Sequence, residues 1–213
     1  MSGRLTLDHL VYAVPDLDES IATFESSLGV APRFGGRHTG IGTHNAVLSL
    51  GSDSYVELIA RDPQTQTPGT GLPFGLDTLT APRLVTWAVR SHAIDRDVER
   101  SRSGGFDPGV VLDMTRDEPD GSVVRWKLSL QTKPFGEGLV PFVIDWGSSR
   151  HPAQTASGEP TGCSLRALSA SHPDPQSILA AFEALGCELP VESAESPGLS
   201  ASLLGPAGSL ELS

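Results

Sequence analysis

The chain has 213 residues and a formal net charge of −11 at pH 7, with 38% hydrophobic and 19% charged residues. This is the composition of a globular protein with enough apolar side chains for a core of useful size. The acidic balance argues against nucleic-acid partners, which need a basic stripe, and against an anionic membrane surface.

Targeting and redox signals are not found in the sequence. There is no run of about 18 apolar residues for a membrane span, and the N-terminus lacks the apolar segment and cleavage site of a signal peptide. The two cysteines, Cys163 and Cys187, have no CxxC spacing, which fits reduced structural thiols. We therefore expect a cytoplasmic protein.

The first predicted elements are a strand over residues 7–14, LDHLVYAV, and a helix over residues 17–28. The strand is rich in β-branched and aromatic residues. The helix carries apolar side chains at helical spacing, and Gly29 ends it. THNAVLSLG and SYVELIA follow as two strands, joined by a turn at Ser52 and Asp53.

The same order of elements recurs twice along the chain. RLVTWAVR is followed by a helix that ends before Gly104, and CSLRALSA by a helix that ends at Gly186. Three βαβββ modules are therefore predicted, at residues 1–62, 83–147 and 163–213, and the third is the shortest.

Two stretches between the modules have a different composition. Residues 62–82 and 147–162 are rich in Pro, Gly, Ser and Thr. They are interpreted either as spacers or as ordered loops that cross the mouth of a pocket.

A histidine and a glutamate interrupt otherwise apolar strands of the first module. Alternation along the strands places His9 on one face with Val11, and Glu57 on one face with Tyr55. Such groups are costly to bury unless they are paired or bound to a metal, and imidazole with carboxylate suits Zn, Fe, Ni or Mn. The alternative is a direct His9–Glu57 hydrogen bond.

His44 is predicted to contact substrate rather than metal. If Ser52 and Asp53 form a two-residue turn, Leu48 lies opposite Glu57. His44 would then share the face of Glu57 but lie roughly 13 Å away along the strand.

The segment over residues 35–45, GGRHTGIGTHN, combines Gly-rich backbone with polar side chains. It lacks the spacing of a phosphate-binding loop. We interpret it either as a turn-rich connection or as a substrate-binding segment that grips a carboxylate or carbonyl oxygen. The predicted substrate contacts in it are Arg37, His38, Thr43, His44 and Asn45.

The strand FVIDWG ends the second module as YVELIA ends the first, so that Asp145 falls near the position of Glu57. Asp145 could serve as a third metal ligand or a general base, or it could cap a turn. Trp87, Trp126 and Trp146 could line a pocket for a flat ligand, or they could belong to the core.

The segment DHLVYAVPDLDESIATFESSLG resembles the opening of the vicinal oxygen chelate superfamily, which contains glyoxalases, bleomycin-resistance proteins and extradiol dioxygenases. YVELIA resembles the fourth strand of that fold. GGRHTGIGTHNAVLSLG, followed by FVIDWGSSRHP, is similar to its glyoxalase-like branch of bacterial proteins. The resemblance implies an α+β fold in which βαβββ modules form a curved mixed sheet around a cavity.

The resemblance also implies where a metal would bind. Metal-binding relatives place their ligands on the first and fourth strands of two modules, and His9 and Glu57 match the first pair. Leu84 stands where the second histidine is expected, and Asp145 only roughly replaces the last acidic ligand. The implied ligand set is therefore His9, Glu57 and Asp145.

Two functions follow from this interpretation. The first is a metal-assisted enzyme (a lyase, isomerase or dioxygenase) that acts on a small oxygenated molecule, with one divalent ion and with Glu57 and Asp145 as catalytic groups. The second is a metal-free protein that binds or sequesters a drug or metabolite. A homodimer is plausible in either case, because the edge strands of such a sheet need covering.

Overall fold

The computed structural model describes residues 4–38, 40–65, 71–117, 123–131, 134–155 and 162–213.

The first unit comprises β1 (Thr6–Ala13), α1 (Leu17–Leu28), β2 (Arg33–His38), β3 (Thr43–Ser49) and β4 (Tyr55–Arg61). The second comprises β5 (Arg83–Arg90), α2 (Ile94–Ser103), β6 (Val110–Asp117), β7 (Val123–Leu130) and β8 (Phe142–Asp145). The short helix α3 (Pro152–Thr155) follows. The third unit comprises β9 (Ser164–His172), α4 (Pro175–Leu185), β10 (Val191–Ser193), β11 (Gly198–Leu204) and β12 (Ser209–Leu212).

Helices α1 and α4 begin and end at residues that satisfy their free backbone groups. The Asp16 carboxylate accepts a hydrogen bond from the Glu19 amide at 2.9 Å and thereby caps the start of α1. Gly29 and Gly186 end α1 and α4 with φ angles of 80° and 85°, a left-handed conformation that costs glycine little.

Strands from the first and second units form one curled, eight-stranded sheet in the order β2-β3-β4-β1-β5-β8-β7-β6. β1 pairs antiparallel with β5 at the centre, and each of these strands pairs in parallel with the last strand of its own unit. The predicted α+β fold with a curved mixed sheet is confirmed.

The third unit forms a separate four-stranded sheet in the order β10-β9-β11-β12. It packs against the helices of the other two units, with α4 on α2 and β12 on α1. The main core lies between, and includes Phe24, Trp87 and Phe182. We call the sheet face toward these helices the outer face, and the opposite face, which carries Val11 and Ile59, the inner face.

The register between β3 and β4 corrects one prediction. Val47, not Leu48, lies opposite Glu57, because the connection spans residues 50–54 and is closed by a hydrogen bond from the Leu50 amide to the Ser54 carbonyl at 2.9 Å. A register change of one residue moves every side chain to the other face. The prediction that His44 shares the face of Glu57 is therefore wrong.

In the part of the chain that the structure describes, no helix is both long and apolar enough to cross a membrane.

We expect Phe24→Ala to lower the free energy of unfolding by about 3–5 kcal/mol, because the ring is 1% exposed in the main core and its loss leaves a cavity. Phe34→Ala is the matched control, since that ring is 49% exposed and its removal should cost less than about 0.5 kcal/mol. Urea unfolding of both variants measures the difference. Equal losses would show that α1 does not anchor the core as described.

Candidate functional site

A cavity of about 410 Å³ lies on the inner face of the eight-stranded sheet. This is within the usual size range of small-molecule sites. The first unit contributes the polar part of its wall, namely His9, His38, Thr43, Asn45 and Glu57. The second unit contributes Arg116 and a mainly apolar wall that consists of Leu112, Met114, Trp126, Leu128, Leu130, Phe142, Ile144 and Trp146. The first unit also contributes Val11, Ile41, Val47, Tyr55 and Ile59, so the lining is mainly apolar and most of its polar groups belong to the first unit.

Glu57 is the centre of the polar wall. Asn45 Nδ2 donates a hydrogen bond to Oε1 of Glu57 at 2.5 Å. His9 Nε2 lies 3.9 Å from Oε2, and His38 Nε2 lies 3.9 Å from Oε1. The two imidazoles thus flank the carboxylate on different oxygens.

His38, predicted as a substrate contact, lies beside Glu57. Its Nδ1 lies 2.8 Å from the Thr43 hydroxyl, across the β2–β3 pair. Burial lowers the pKa of His38, and the neighbouring Arg116 lowers it further, although Glu57 opposes both effects. His38 is therefore neutral near pH 7.

A β-bulge in β1 brings Asp8 and His9 together. Leu7 lies opposite Val89 and His9 opposite Ala88, so that Asp8 is an extra residue in the ladder with β5. A bulge re-aims side chains, and here Asp8 Oδ1 lies 2.8 Å from His9 Nδ1 although the two residues are adjacent in sequence.

The Asp8 carboxylate is fully buried and surrounded by hydrogen-bond donors. Arg90 Nε donates to Oδ2 at 2.8 Å, Trp146 Nε1 donates at 3.2 Å, and His151 Nε2 lies 3.1 Å away. Burial alone would raise the pKa of Asp8, but the hydrogen bonds with His151 and His9 outweigh it and hold the pKa well below its ordinary value. The group is therefore an ionised carboxylate.

Aromatic rings fix the orientation of the His9 imidazole. Tyr55 stacks on it with ring centroids 4.6 Å apart and an interplanar angle of 13°. Phe142 meets its edge at 5.4 Å. Burial raises the pKa of Tyr55 well above its ordinary value, as do the charges of Asp8 and Glu57, so that the phenol stays neutral.

This cavity is lined by seven of the site residues predicted from the sequence: His9, His38, Thr43, Asn45, Glu57, Trp126 and Trp146. Sequence reasoning missed Asp8, Arg90 and Tyr55. The available signals were a carboxylate directly before the strand histidine and an aromatic residue two positions before the strand glutamate. Nothing in the sequence indicated that Arg90 pairs with Asp8.

Two predicted substrate contacts lie on the outer face instead. Arg37 and His44 are opposite one another in the β2–β3 ladder. Arg37 forms an ion pair with Asp62 and holds the pKa of that carboxyl at about 2, against the effect of burial. His44 meets Phe34 edge to face at 6.2 Å. Both side chains are thus engaged away from the cavity.

Asp145 and Trp87 also lie outside the cavity. The Asp145 carboxylate accepts hydrogen bonds from the Gly147 amide at 2.9 Å and from the Ile94 amide at 3.3 Å, which caps the turn after β8 and the start of α2. Trp87 lies in the main core, where its indole N–H donates to the Leu139 carbonyl at 2.7 Å. These contacts agree with the structural alternatives given for the two residues, namely a turn cap for Asp145 and a core position for Trp87.

These positions do not assemble the expected metal centre. Among the described residues, no group of three or more His, Cys, Asp or Glu side chains could hold a metal ion. A catalytic zinc site has three protein ligands, whereas His9 and His38 lie beside different oxygens of Glu57, and these three side chains do not form such a group. Asp145 caps α2, and Leu84 lies in the main core. The arrangement of these side chains therefore does not fit the implied metal.

Comparison with known families assigns the fold. Residues 7–186 match the sequence model of the glyoxalase-like domain. The chain belongs to the glyoxalase-like domain family. The resemblance to the vicinal oxygen chelate superfamily is thereby confirmed. No curated protein matches the sequence at a significant level.

Several solved structures are similar to this glyoxalase-like protein. A hypothetical protein from Staphylococcus aureus is 13% identical, with a TM-score of 0.70 over 98% of this chain and 99% of that chain. Methylmalonyl-CoA epimerase from Mycobacterium tuberculosis is 22% identical, with a TM-score of 0.46 over 68% of this chain and 91% of that chain. A hypothetical protein from Bacillus halodurans is 16% identical, with a TM-score of 0.43 over 66% and 94%.

We expect Asp8→Asn to lower the free energy of unfolding at pH 7 by about 3–5 kcal/mol, because Arg90 loses its buried partner. The pKa of Asp8 in the folded protein lies below its ordinary value of 3.8. Its stabilisation is therefore complete above that value and is lost as the pH falls below it. Urea unfolding should show that the difference between wild type and variant narrows as the pH falls from about 5 to about 2.

Asp95→Asn is the matched control for this experiment. The Asp95 side chain is 73% exposed and contacts Lys127 at 3.1 Å, so its replacement should cost less than about 1 kcal/mol. A difference between wild type and Asp8→Asn that stays constant with pH would contradict the assigned charge.

Proposed function

We propose that this glyoxalase-like protein binds a small, largely apolar molecule in the inner-face cavity without a metal ion. One observation carries the proposal: a cavity of about 410 Å³ has a mainly apolar lining with a few polar groups around Glu57. Most small-molecule sites have this composition, in which apolar side chains supply affinity and a few polar groups fix the orientation.

Two tryptophans, Trp126 and Trp146, line the cavity next to each other. The rings of Trp126 and Trp146 lie 5.5 Å apart with an interplanar angle of 38°. The Trp146 indole N–H is bound to Asp8, which holds that ring in place. A rigid aromatic surface binds a flat molecule at a low cost in conformational entropy. We infer that the flat part of the ligand packs on these rings and that its polar end reaches Glu57.

We expect 2-naphthol, used as a probe, to bind at one site, and Trp126→Ala to weaken its binding by about tenfold or more through loss of apolar contact area. Trp87→Phe is the control, because Trp87 lies on the outer face and phenylalanine keeps a ring in the core. Isothermal titration calorimetry in the presence of a chelator measures both. Equal weakening by the two substitutions, or no binding by the wild type, would refute the proposal.

A second candidate is the metal-assisted enzyme acting on a small oxygenated molecule. One observation favours it: His9 and Glu57 lie on neighbouring strands, and the Asp8 carboxylate lies behind the imidazole. Carboxylates commonly orient metal-binding histidines in this way. The candidate is weaker because His9, His38 and Glu57 do not form a group of three donors that could hold a metal among the described residues.

Metal content separates the two candidates. We expect protein that is purified without a chelator or an affinity tag to bind Zn, Fe, Mn or Ni at far less than one ion per chain, since the described side chains do not form a group of three ligands. Elemental analysis and titration with each ion measure this. Near-stoichiometric metal in the wild type that is lost in His9→Ala would favour the enzyme, and oxygenated substrates should then be screened.

We also propose that the protein is cytoplasmic. A homodimer stays a prediction. Cys163 and Cys187 are both buried in the core, which supports a role as structural thiols. The edge strands of the large sheet are β2 and β6, and a partner copy could cover either of them.

A further inference from the structure

We propose that the inner-face cavity continues into a second, smaller cavity and that the ligand is elongated, with a flat ring system on the two tryptophans and an aliphatic chain in the second cavity. The second cavity has a volume of about 240 Å³. An apolar cavity of about 150 Å³ holds one benzene ring, so there is room for a chain of about six carbons. This inference rests on the proposed binding function, because it names the shape of the molecule bound at the same site.

The two cavities share part of their walls. Phe74, Leu128, Leu130 and Phe142 line the inner-face cavity and also the second cavity. All four side chains are apolar, so a chain that passes from one cavity to the other stays in contact with apolar surface. The second cavity is therefore a continuation of the proposed binding site.

Strands β7 and β8 give the combined site a direction. Leu128 lies opposite Ile144 in this antiparallel pair, and alternate residues of a strand share a face. The two tryptophans therefore lie at one end of the shared inner face, and Leu130 and Phe142 lie at the other end, about 13 Å away at about 3.3 Å per residue. The second cavity adjoins the end with Phe142 and is not lined by either tryptophan. A ligand that packs on the tryptophans reaches it only by extending along these strands.

Apolar side chains at the junction are open for a ligand to cover. Leu130 is 53% exposed and Phe74 is 37% exposed. Such large apolar side chains are usually buried, and a group of exposed ones is typical of a ligand-binding groove. An aliphatic chain that lies across the junction would remove both side chains from water.

Polar side chains in the wall of the second cavity have protein partners or are exposed. Ser129 Oγ accepts a hydrogen bond from a backbone amide of β8 at 2.9 Å, and Gln131 Oε1 accepts one from a backbone amide at 2.7 Å. Thr86 Oγ1 lies 3.5 Å from the carbonyl oxygen of the next residue. Arg83 and Glu137 are exposed. The interior of the second cavity therefore suits an aliphatic chain better than a polar group.

The backbone of this wall is strained at two positions. Among the described residues, Phe74 and Glu137 are the two non-glycine residues with a left-handed backbone, with φ angles of 60° and 56°, and both line the second cavity. Such conformations are unfavourable for side-chain-bearing residues and concentrate at ligand sites, where the surroundings enforce them. Next to Glu137, a Cβ atom on Gly138 would lie 2.2 Å from the Val85 carbonyl oxygen. This close approach to β5 holds the strained wall in place.

The shape of the ligand is tested on the wild type with two probes, 2-naphthol and 6-hexyl-2-naphthol. Each methylene group that leaves water can strengthen binding up to about fourfold. Ordering of the chain offsets part of this, so we expect the hexyl probe to bind at least about tenfold more tightly. Isothermal titration calorimetry in the presence of a chelator measures both affinities.

The two probes also separate the inference from the proposed function. If 2-naphthol binds and the hexyl chain adds a smaller gain than expected, the elongated shape is wrong and the binding function stands. If neither probe binds, the binding function fails and this inference fails with it.

The position of the chain is tested by filling the second cavity. Thr86 is 7% exposed and belongs to the lining of the second cavity, but not to that of the inner-face cavity. We expect Thr86→Phe to reduce the gain from the hexyl chain to less than about threefold, because the added ring occupies the space of the chain, and to change the affinity for 2-naphthol by less than about twofold. Thr23→Phe is the matched control, since Thr23 is exposed on α1, and it should keep the full gain.

Thr86→Leu repeats the test with a smaller added volume if Thr86→Phe does not fold. We expect it to reduce the gain from the hexyl chain by at least about threefold. A full gain in a folded Thr86 variant would show that the chain binds elsewhere and would overturn the second cavity as its site.

Discussion

The antiparallel pairing of β1 with β5 is the constraint on which the rest of the molecule depends. It joins two strand–helix–three-strand units into one sheet, because each of these strands also pairs with the last strand of its own unit. The same ladder contains the bulge at Asp8. A pairing that continued in regular register would place Asp8 and His9 on opposite faces, and the carboxylate could not reach the imidazole.

The buried Asp8 carboxylate then connects the two units chemically. Its partners come from the first unit (His9), the second unit (Arg90 and Trp146) and the segment that follows (His151). Removing one partner from such a cluster leaves an uncompensated buried group, which costs more than a surface ion pair contributes. The position of His9 therefore depends on the relative position of both units, and a shift of β8 or of residue 151 would disturb it.

The sequence predicted those features that depend on local rules. Strand alternation predicted that His9 shares a face with Val11 and Glu57 with Tyr55, and all four line the cavity. Gly29 and Gly186 end their helices because a left-handed residue is needed there. Features that depend on the length of a connection or on a distant partner were not predictable. The β3–β4 connection is longer than a two-residue turn, and this single difference moves His44 to the outer face and leaves His38 beside Glu57.

Asp145, in the second unit, is another residue whose position local sequence rules did not predict. Its position near the end of β8 suggested an equivalent of Glu57, but the neighbouring Ile144 lines the cavity while Asp145 caps α2. Because successive side chains of a strand point to opposite faces, the side chain that faces the cavity at the end of β8 is the apolar Ile144 and not the carboxylate of Asp145. Trp87 also lies away from the cavity, because it is opposite Leu10, whose side chain belongs to the main core.

This difference between the units determines the chemistry of the cavity. Two equivalent units could each contribute a histidine and a carboxylate, and four such ligands around one point suit a metal. Here the second unit contributes Phe142 and Ile144 instead, together with Arg116, and the carboxylate of Glu57 has Asn45 as its hydrogen-bond donor. A carboxylate in a partly buried site interacts strongly with any donor that reaches it, since water screens the interaction little. Under the proposed binding function, the side chains that replace the second pair of ligands supply the apolar contacts, and Glu57 supplies the polar contact.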